Sequence, residues 1–295
     1  PFFLESADFF LTPLETVFTR TVYDPLWGIK MTGKLGKNAL GIFATQDRYN
    51  NLIFPSNQGS NSFSIKEDVF GGVLRYRRDI GRGSTLGFLY TGRNSENYYN
   101  HVFGLDSYLR LSKTKTLNLQ YIRTQSLYPV EIALDFNQST DAFAGTAVFT
   151  QFNHRGRNFL YGFEYESRTK NFRADYGFIP RVDFRRLEGM IHPVIWGKKG
   201  SWYDRIGMML RCERITDQDN KLTDQDIQLA FSINGPLQSY FYSGIDFLKE
   251  FYFGETYNKF IGTFFLEIKP WGGVHFTLYT TFGDSIDYSN FRLAK

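Results

Sequence analysis

Apolar and polar residues alternate with a period of two along most of the chain, the spacing of strands that present two unlike faces. At 116–124 the set Leu117, Leu119 and Tyr121 interleaves with Asn118, Gln120, Ile122 and Thr124, and at 159–166 Phe159, Tyr161, Phe163 and Tyr165 interleave with Leu160, Gly162, Glu164 and Glu166. Ile206, Met208, Leu210 and Cys212 oppose Arg205, Gly207, Met209 and Arg211, and Ile227, Leu229, Phe231 and Ile233 oppose Gln228, Ala230, Ser232 and Asn234. No helical period of comparable length competes. Turn residues divide the pattern into about fifteen strands: 15–23, 27–35, 38–47, 69–79, 84–93, 101–112, 115–125, 143–154, 158–168, 182–195, 202–215, 223–234, 237–249, 257–269 and 273–284. Many exceed the roughly five or six residues usual in soluble sheets and approach what a tilted strand needs to cross hydrocarbon.

The linkers carry a second signal, because they alternate in length. Those at 36–37, 80–83, 113–114, 155–157, 196–201, 235–236 and 270–272 are short; those at 48–68, 94–100, 126–142, 169–181, 216–222 and 250–256 are longer. Short turns on one rim and longer loops on the other predict an all-β fold, an antiparallel transmembrane β-barrel of outer-membrane type, and localisation in a bacterial outer membrane, with lipid as its surroundings. On this reading 1–14 is a periplasmic or lumenal lead-in, 15–295 is the barrel, strand 15–23 rises from the periplasm, and 24–26 is a tight extracellular turn. Single-chain bacterial barrels have an even strand number, so about fifteen strands predict a closing strand beyond Lys295.

Composition narrows the alternatives. Aromatics make up 18% of the 295 residues, with 27 Gly, which favours strands and tight turns. The lone Cys212 excludes an internal disulfide framework and a multi-cysteine zinc site. A formal charge of +4, evenly spread, gives no footprint for nucleic acid. No apolar run is long enough for a transmembrane helix, and a mean hydropathy of -0.34 is compatible with barrel strands whose inner half faces a polar lumen.

That lumen is expected to hold Lys30, Lys34, Arg75, Arg77, Asp106, Arg110, Glu164, Glu166, Arg168, Glu188, Arg205, Arg211, Glu213, Asp246, Glu267 and Lys269, whose balanced signs favour a paired network over an ion-selective pore. Trp196, Trp202, Tyr203 and Trp271, near short turns, fit an interfacial aromatic girdle. Glu164 and Glu166 stand two apart on one face, the weak candidates for glycosidase chemistry, although consecutive inward carboxylates suit any polar lumen. His101, His154, His192 and His275 fall on separate strands without metal-ligand spacing. A calcium loop counted from Asp217, the start of the acidic run 217–226, would need Gly and Glu where Leu222 and Gln228 stand. Neither a metal nor a cofactor is expected. Among loop aromatics, Tyr49, Phe54, Phe63, Tyr98, Tyr99 and Tyr128 either stack on sugar rings or pack the loops together.

The stretch Pro1-Phe2-Phe3-Leu4-Glu5-Ser6-Ala7-Asp8-Phe9-Phe10, with Val17-Phe18-Thr19-Arg20-Thr21 and Trp27-Gly28-Ile29-Lys30-Met31-Thr32-Gly33-Lys34, resembles the Bacteroidota outer-membrane barrel family catalogued as domain of unknown function 5916. Ser6 stands where that family usually has Gly. Gly283-Asp284-Ser285-Ile286-Asp287-Tyr288 resembles a late motif of the same family, after which further strands usually follow. The resemblance implies a preceding sandwich similar to family-9 carbohydrate-binding modules in the same gene product, and a saccharide ligand that the barrel passes, docks or captures. An envelope glycoside hydrolase, another hydrolase on a barrel platform, or a structural subunit of an outer-membrane assembly are the alternatives.

Overall fold

The computed structural model describes residues 7–18, 21–290 and 292–294. After a 3-10 turn at Ala7–Phe10 come β1 (Pro25–Leu35), β2 (Asn38–Asp47), β3 (Asn50–Pro55), β4 (Ser60–Ile65), β5 (Val69–Ile80), β6 (Ser84–Ser95), β7 (Tyr98–Arg110) and β8 (Lys115–Leu127). A helix α1 (Val130–Asp135) precedes β9 (Phe143–Arg155), β10 (Phe159–Arg168), β11 (Phe184–Trp196), β12 (Arg205–Thr216), β13 (Leu222–Gly235), β14 (Ser239–Tyr252), β15 (Glu255–Ile268), β16 (Phe276–Gly283), β17 (Ser285–Asp287) and β18 (Arg292–Ala294). The protein is all-β. Fourteen strands form one antiparallel sheet in the order β1-β2-β5-β6-β7-β8-β9-β10-β11-β12-β13-β14-β15-β16, while β3–β4 and β17–β18 are separate hairpins.

The strand predicted at 15–23 does not form at the described residues 15–18 and 21–23. Thr16 and Val17 of that stretch, like Leu14 just before it, are buried by packing, and Thr19 and Arg20 lie outside the described residues, as does the opening 1–6. Its alternation is that of a segment lying on another surface, which burial imposes as readily as a sheet does. Pro25, predicted within a turn, opens β1, and the main sheet has fourteen strands where about fifteen were expected. The linker 48–68 contains the β3–β4 hairpin, and 128–142 contains α1. The linkers predicted at 94–100 and 250–256 shrink to the two-residue turns 96–97 and 253–254, because their aromatic-rich flanks extend the neighbouring strands. The long linkers are thus 48–68, 128–142 and 169–183.

The chain packs as two units, Pro1–Gln151 with Tyr165–Arg185, and Phe152–Glu164 with Arg186–Lys295. In the second unit the two sheet faces separate cleanly by register. On one face, Ile206, Ile233, Phe241 and Leu266 form a row; Met208, Phe231, Ser243 and Phe264 the next; then Leu210, Leu229, Ile245 and Gly262; then Cys212, Ile227, Phe247 and Phe260. The opposite face carries Arg211, Gln228 and Asp246 in one row and Glu213, Asp226, Leu248 and Lys259 in another. The apolar face is the uncovered one, with Met208 and Leu229 48% and 49% exposed. The first unit repeats this arrangement: Ile29, Met31, Leu40, Tyr76, Phe103, Leu105 and Tyr121 are exposed on one face while Arg75, Asn100, Gln120 and Thr124 are buried on the other. A soluble sheet would bury the apolar face instead.

Candidate functional site

The polar face of the first unit is filled by its own chain. Apolar residues at inward positions, Phe43, Val73, Leu89, Val102, Ile122, Ala147 and Phe149, receive Phe10, Leu14 and Val17 from the N-terminal segment and Phe172, Tyr176, Ile179 and Val182 from the loop 169–183. The two segments also bind each other: Phe18 N–H donates to the Tyr176 carbonyl at 2.7 Å, and Phe178 N–H to the Glu15 carbonyl at 3.2 Å. Gly177 permits this approach, since a Cβ there would overlap the Glu15 carbonyl. Leu14 N–H donates to Gln120 Oε1 on β8 at 2.7 Å. We refer to the two segments together as the plug.

Asp175 is the anchor of the plug. Its Oδ2 accepts the Tyr98 hydroxyl at 2.7 Å and the Tyr128 hydroxyl at 3.0 Å, and its N–H donates to Asn100 Oδ1 at 3.0 Å. Arg93 Nη1 donates to the Asp175 carbonyl at 2.8 Å, with its guanidinium over the Tyr176 ring. Arg173 donates through Nε and Nη2 to Gln138 Oε1 and through Nη1 to the carbonyls of Lys170 and Phe172. Burial pushes the Asp175 carboxyl above its ordinary value, against the lowering by the tyrosine hydroxyls and by Arg93 and Arg173. Burial, then the neighbouring Asp175, pushes the Tyr128 hydroxyl well up, so it remains a donor. No sequence motif pointed to this network. The only signal was the occurrence of Ile122 among the polar positions of its strand, which marks an inward site waiting for an apolar partner.

Beside the plug, a cavity of about 550 Å³ opens among the loops, lined by Phe54, Asn57, Gln58, Asn61, Phe136, Asn137, Gln138, Lys170 and Asp183. Side-chain amides and stacked rings dominate it, Phe54 and Phe136 lying 4.3 Å apart at 15°. Phe54, Tyr98 and Tyr128 are buried against one another, so their role is packing the loops. Phe63 stays 41% exposed next to Phe136. Tyr49 packs edge-on against Tyr23, and Tyr99 stacks on His101.

The charged residues expected inside all lie at polar-face positions of their strands, except Lys269, just beyond the end of β15. Arg75 and Asp106 form a bidentate pair at 2.5 and 2.8 Å that reaches over Gly87 of the intervening strand. In the second unit an ion-pair ladder runs from Glu164 through Arg186 to Glu213 (3.3 Å) and Glu188 (3.7 Å), then through Arg211 to Asp226 (2.6 Å). Gln228 extends it to Asp246 at 2.6 Å. Glu166 pairs with Arg168 at 2.7 Å, Lys34 with Asp79 at 2.5 Å, and Glu267 with Lys269 at 3.1 Å. Lys30 sits over the Phe10 ring of the plug, whereas Arg77, Arg110 and Arg205 form no ion pair among the described residues. Glu164 and Glu166 are thus each paired with an arginine.

Trp196, Trp202 and Trp271 are exposed at the rim of the second unit formed by the turns 197–204 and 269–275. Trp196 Nε1 donates to the Arg157 carbonyl at 3.0 Å, and Tyr203 packs edge-on against Trp202. His154 stacks on Tyr161, and His275 contacts Glu267 at 2.9 Å. In the acidic run, Asp217 Oδ1 accepts the N–H groups of Asp219 and Lys221.

No family model and no curated protein matches the chain. Among solved structures it is similar to BamA from Haemophilus ducreyi lacking POTRA domains 1–3, at 10% identity and a TM-score of 0.37, over 86% of this chain and 69% of that one.

Proposed function

We propose that this chain is a membrane-embedded β-barrel protein of the bacterial outer membrane that captures a saccharide-type ligand at its loop-side cavity, with a plug of its own chain across part of the inner face. The observation that carries the membrane reading is the inverted sheet: long antiparallel strands with uncovered apolar rows on one face and ion pairs on the other. Apolar rows from Ile206 to Cys212 extend about 20 Å along the strands, the scale of an outer-membrane apolar band. In hydrocarbon that face loses nothing, and the antiparallel ladders satisfy the backbone. The filled polar face of the first unit favours docking and capture over an open passage. The amide-rich cavity favours an uncharged, hydroxyl-bearing ligand, since such side chains donate and accept equally. Arginine pairing at Glu164 and Glu166 weighs against the hydrolase alternative.

The test reconstitutes the protein in planar bilayers and titrates it with neutral oligosaccharides. Silent bilayers, with saccharide binding abolished by Gly59→Trp at the cavity mouth, are the expected result; Gly59 has open space where a Cβ would stand. Steady conductance from the unmodified protein would overturn the plugged reading, and saccharide binding unaffected by Gly59→Trp would overturn the capture site.

A further inference from the structure

On the apolar face of the second unit, the row beyond Cys212, Ile227, Phe247 and Phe260 is Arg214, Gln225, Lys249 and Asn258, in direct register across β12 to β15. The change is abrupt: four apolar rows end in one polar row carrying two cations. Strand spacing of about 4.8 Å places Arg214 and Lys249 roughly 10 Å apart with Gln225 between them. Neither cation has an acidic partner among the described residues, whereas Glu250, next to Lys249 on the polar face, is taken by Lys259 at 2.6 Å. A third cation, Lys221, projects from the adjoining loop onto the ring of Phe251, 3.6 Å from its centroid. The nearby Asp217 carboxylate turns back onto the N–H groups of Asp219 and Lys221.

Below this row the surface is hollow. A depression of about 400 Å³ is lined by Leu187, Gly189, Cys212 and Ile227 and reaches Arg214 and Gln225 at its upper end. Another, of about 590 Å³, lies toward the opposite rim between Ile191, Met208, Leu229 and Ile245. Gly189 has open space where a side chain would stand, so the first hollow exists because that outward position carries none.

Cations at the top of an apolar groove match one kind of occupant, an amphiphile with an anionic head and hydrocarbon tails. We infer that a phosphorylated, acylated lipid of the loop-side leaflet docks here, its phosphate between Arg214 and Lys249 and an acyl chain in the groove over Gly189. The inference rests on the membrane reading above and adds a specific lipid site to it. An arginine fork and an ammonium together suit phosphate oxygens, and a headgroup at this height leaves the apolar rows to the tails.

The full chain would be inserted into phosphatidylcholine nanodiscs doped with bis-phosphorylated lipid A, and lipid retention followed by native mass spectrometry. Arg214→Ala with Lys249→Ala is expected to weaken retention about thirtyfold, from about fivefold per cation near a membrane surface. Gly189→Trp, or Gly189→Leu where the larger ring impairs folding, is expected to weaken it with both cations intact. Inorganic phosphate at millimolar concentration should leave the lipid bound. Wild-type retention in both kinds of variant, or displacement by inorganic phosphate, would overturn the inference. Failure of the unmodified protein to insert into undoped phosphatidylcholine would instead overturn the membrane reading, so the two failures are separable.

Discussion

Replacing Asp175 by alanine removes the acceptor shared by the hydroxyls of Tyr98 and Tyr128, residues only 2% and 1% exposed. A buried hydroxyl left without its partner costs about 1–3 kcal/mol, so the pair costs about 2–6 kcal/mol of local plug stability. The backbone ties from Arg93 and Asn100 remain, which confines the loss to the loop 169–183. Asp175→Asn keeps one oxygen for the hydroxyls and should lose less than about 2 kcal/mol. Hydrogen exchange of the loop amides in the membrane-inserted protein reads this directly. At least about twentyfold faster exchange is expected for the alanine variant, and a smaller change for the asparagine variant. Alanine-variant exchange within twofold of wild type would refute the anchor. The pH dependence follows from the raised carboxyl pKa. A group whose folded value lies above its ordinary 3.8 favours the folded state below that value and loses this contribution as pH rises through the folded value. Relative to Asp175→Asn, the wild-type plug should therefore become less protected as pH rises from about 3.8, and a difference of the opposite sign would refute the burial argument.

Other perturbations test the remaining parts. Arg75→Ala strands the Asp106 carboxylate, 9% exposed at its side chain, and should cost about 3–5 kcal/mol, read as a lowered midpoint in heat-modifiability gels. Gly145→Ala would drive a Cβ into the Asn171 and Phe172 backbone and should make the loop protease-sensitive, whereas Gly189→Ala, facing open space, should leave it resistant. Leu229→Arg, in the middle of the apolar rows, should cost about 2–4 kcal/mol of stability in lipid, while Thr263→Arg on the opposite face, beside Gly244, should be tolerated in the same urea titration.

The two-residue period by itself determined the all-β class, the long antiparallel strands and which side chains share a face, because a strand's alternation fixes facing whatever surrounds it. Together with the turn residues it placed β2 to the residue and β5 through β15 to within a few residues. The same rule produced the false strand at 15–23, since alternation records burial on one side and not hydrogen bonding to a neighbour. Only the tertiary structure decided what fills the polar face. The plug joins Leu14 to Gln120 and Asp175 to Tyr98, contacts 106 and 77 residues apart that no local pattern encodes. The row of Arg214 and Lys249 on the apolar face was likewise invisible, because each cation reads locally as an ordinary strand end. Register across β12, β13 and β14 is what brings them level, and register is set by the pairing of whole strands.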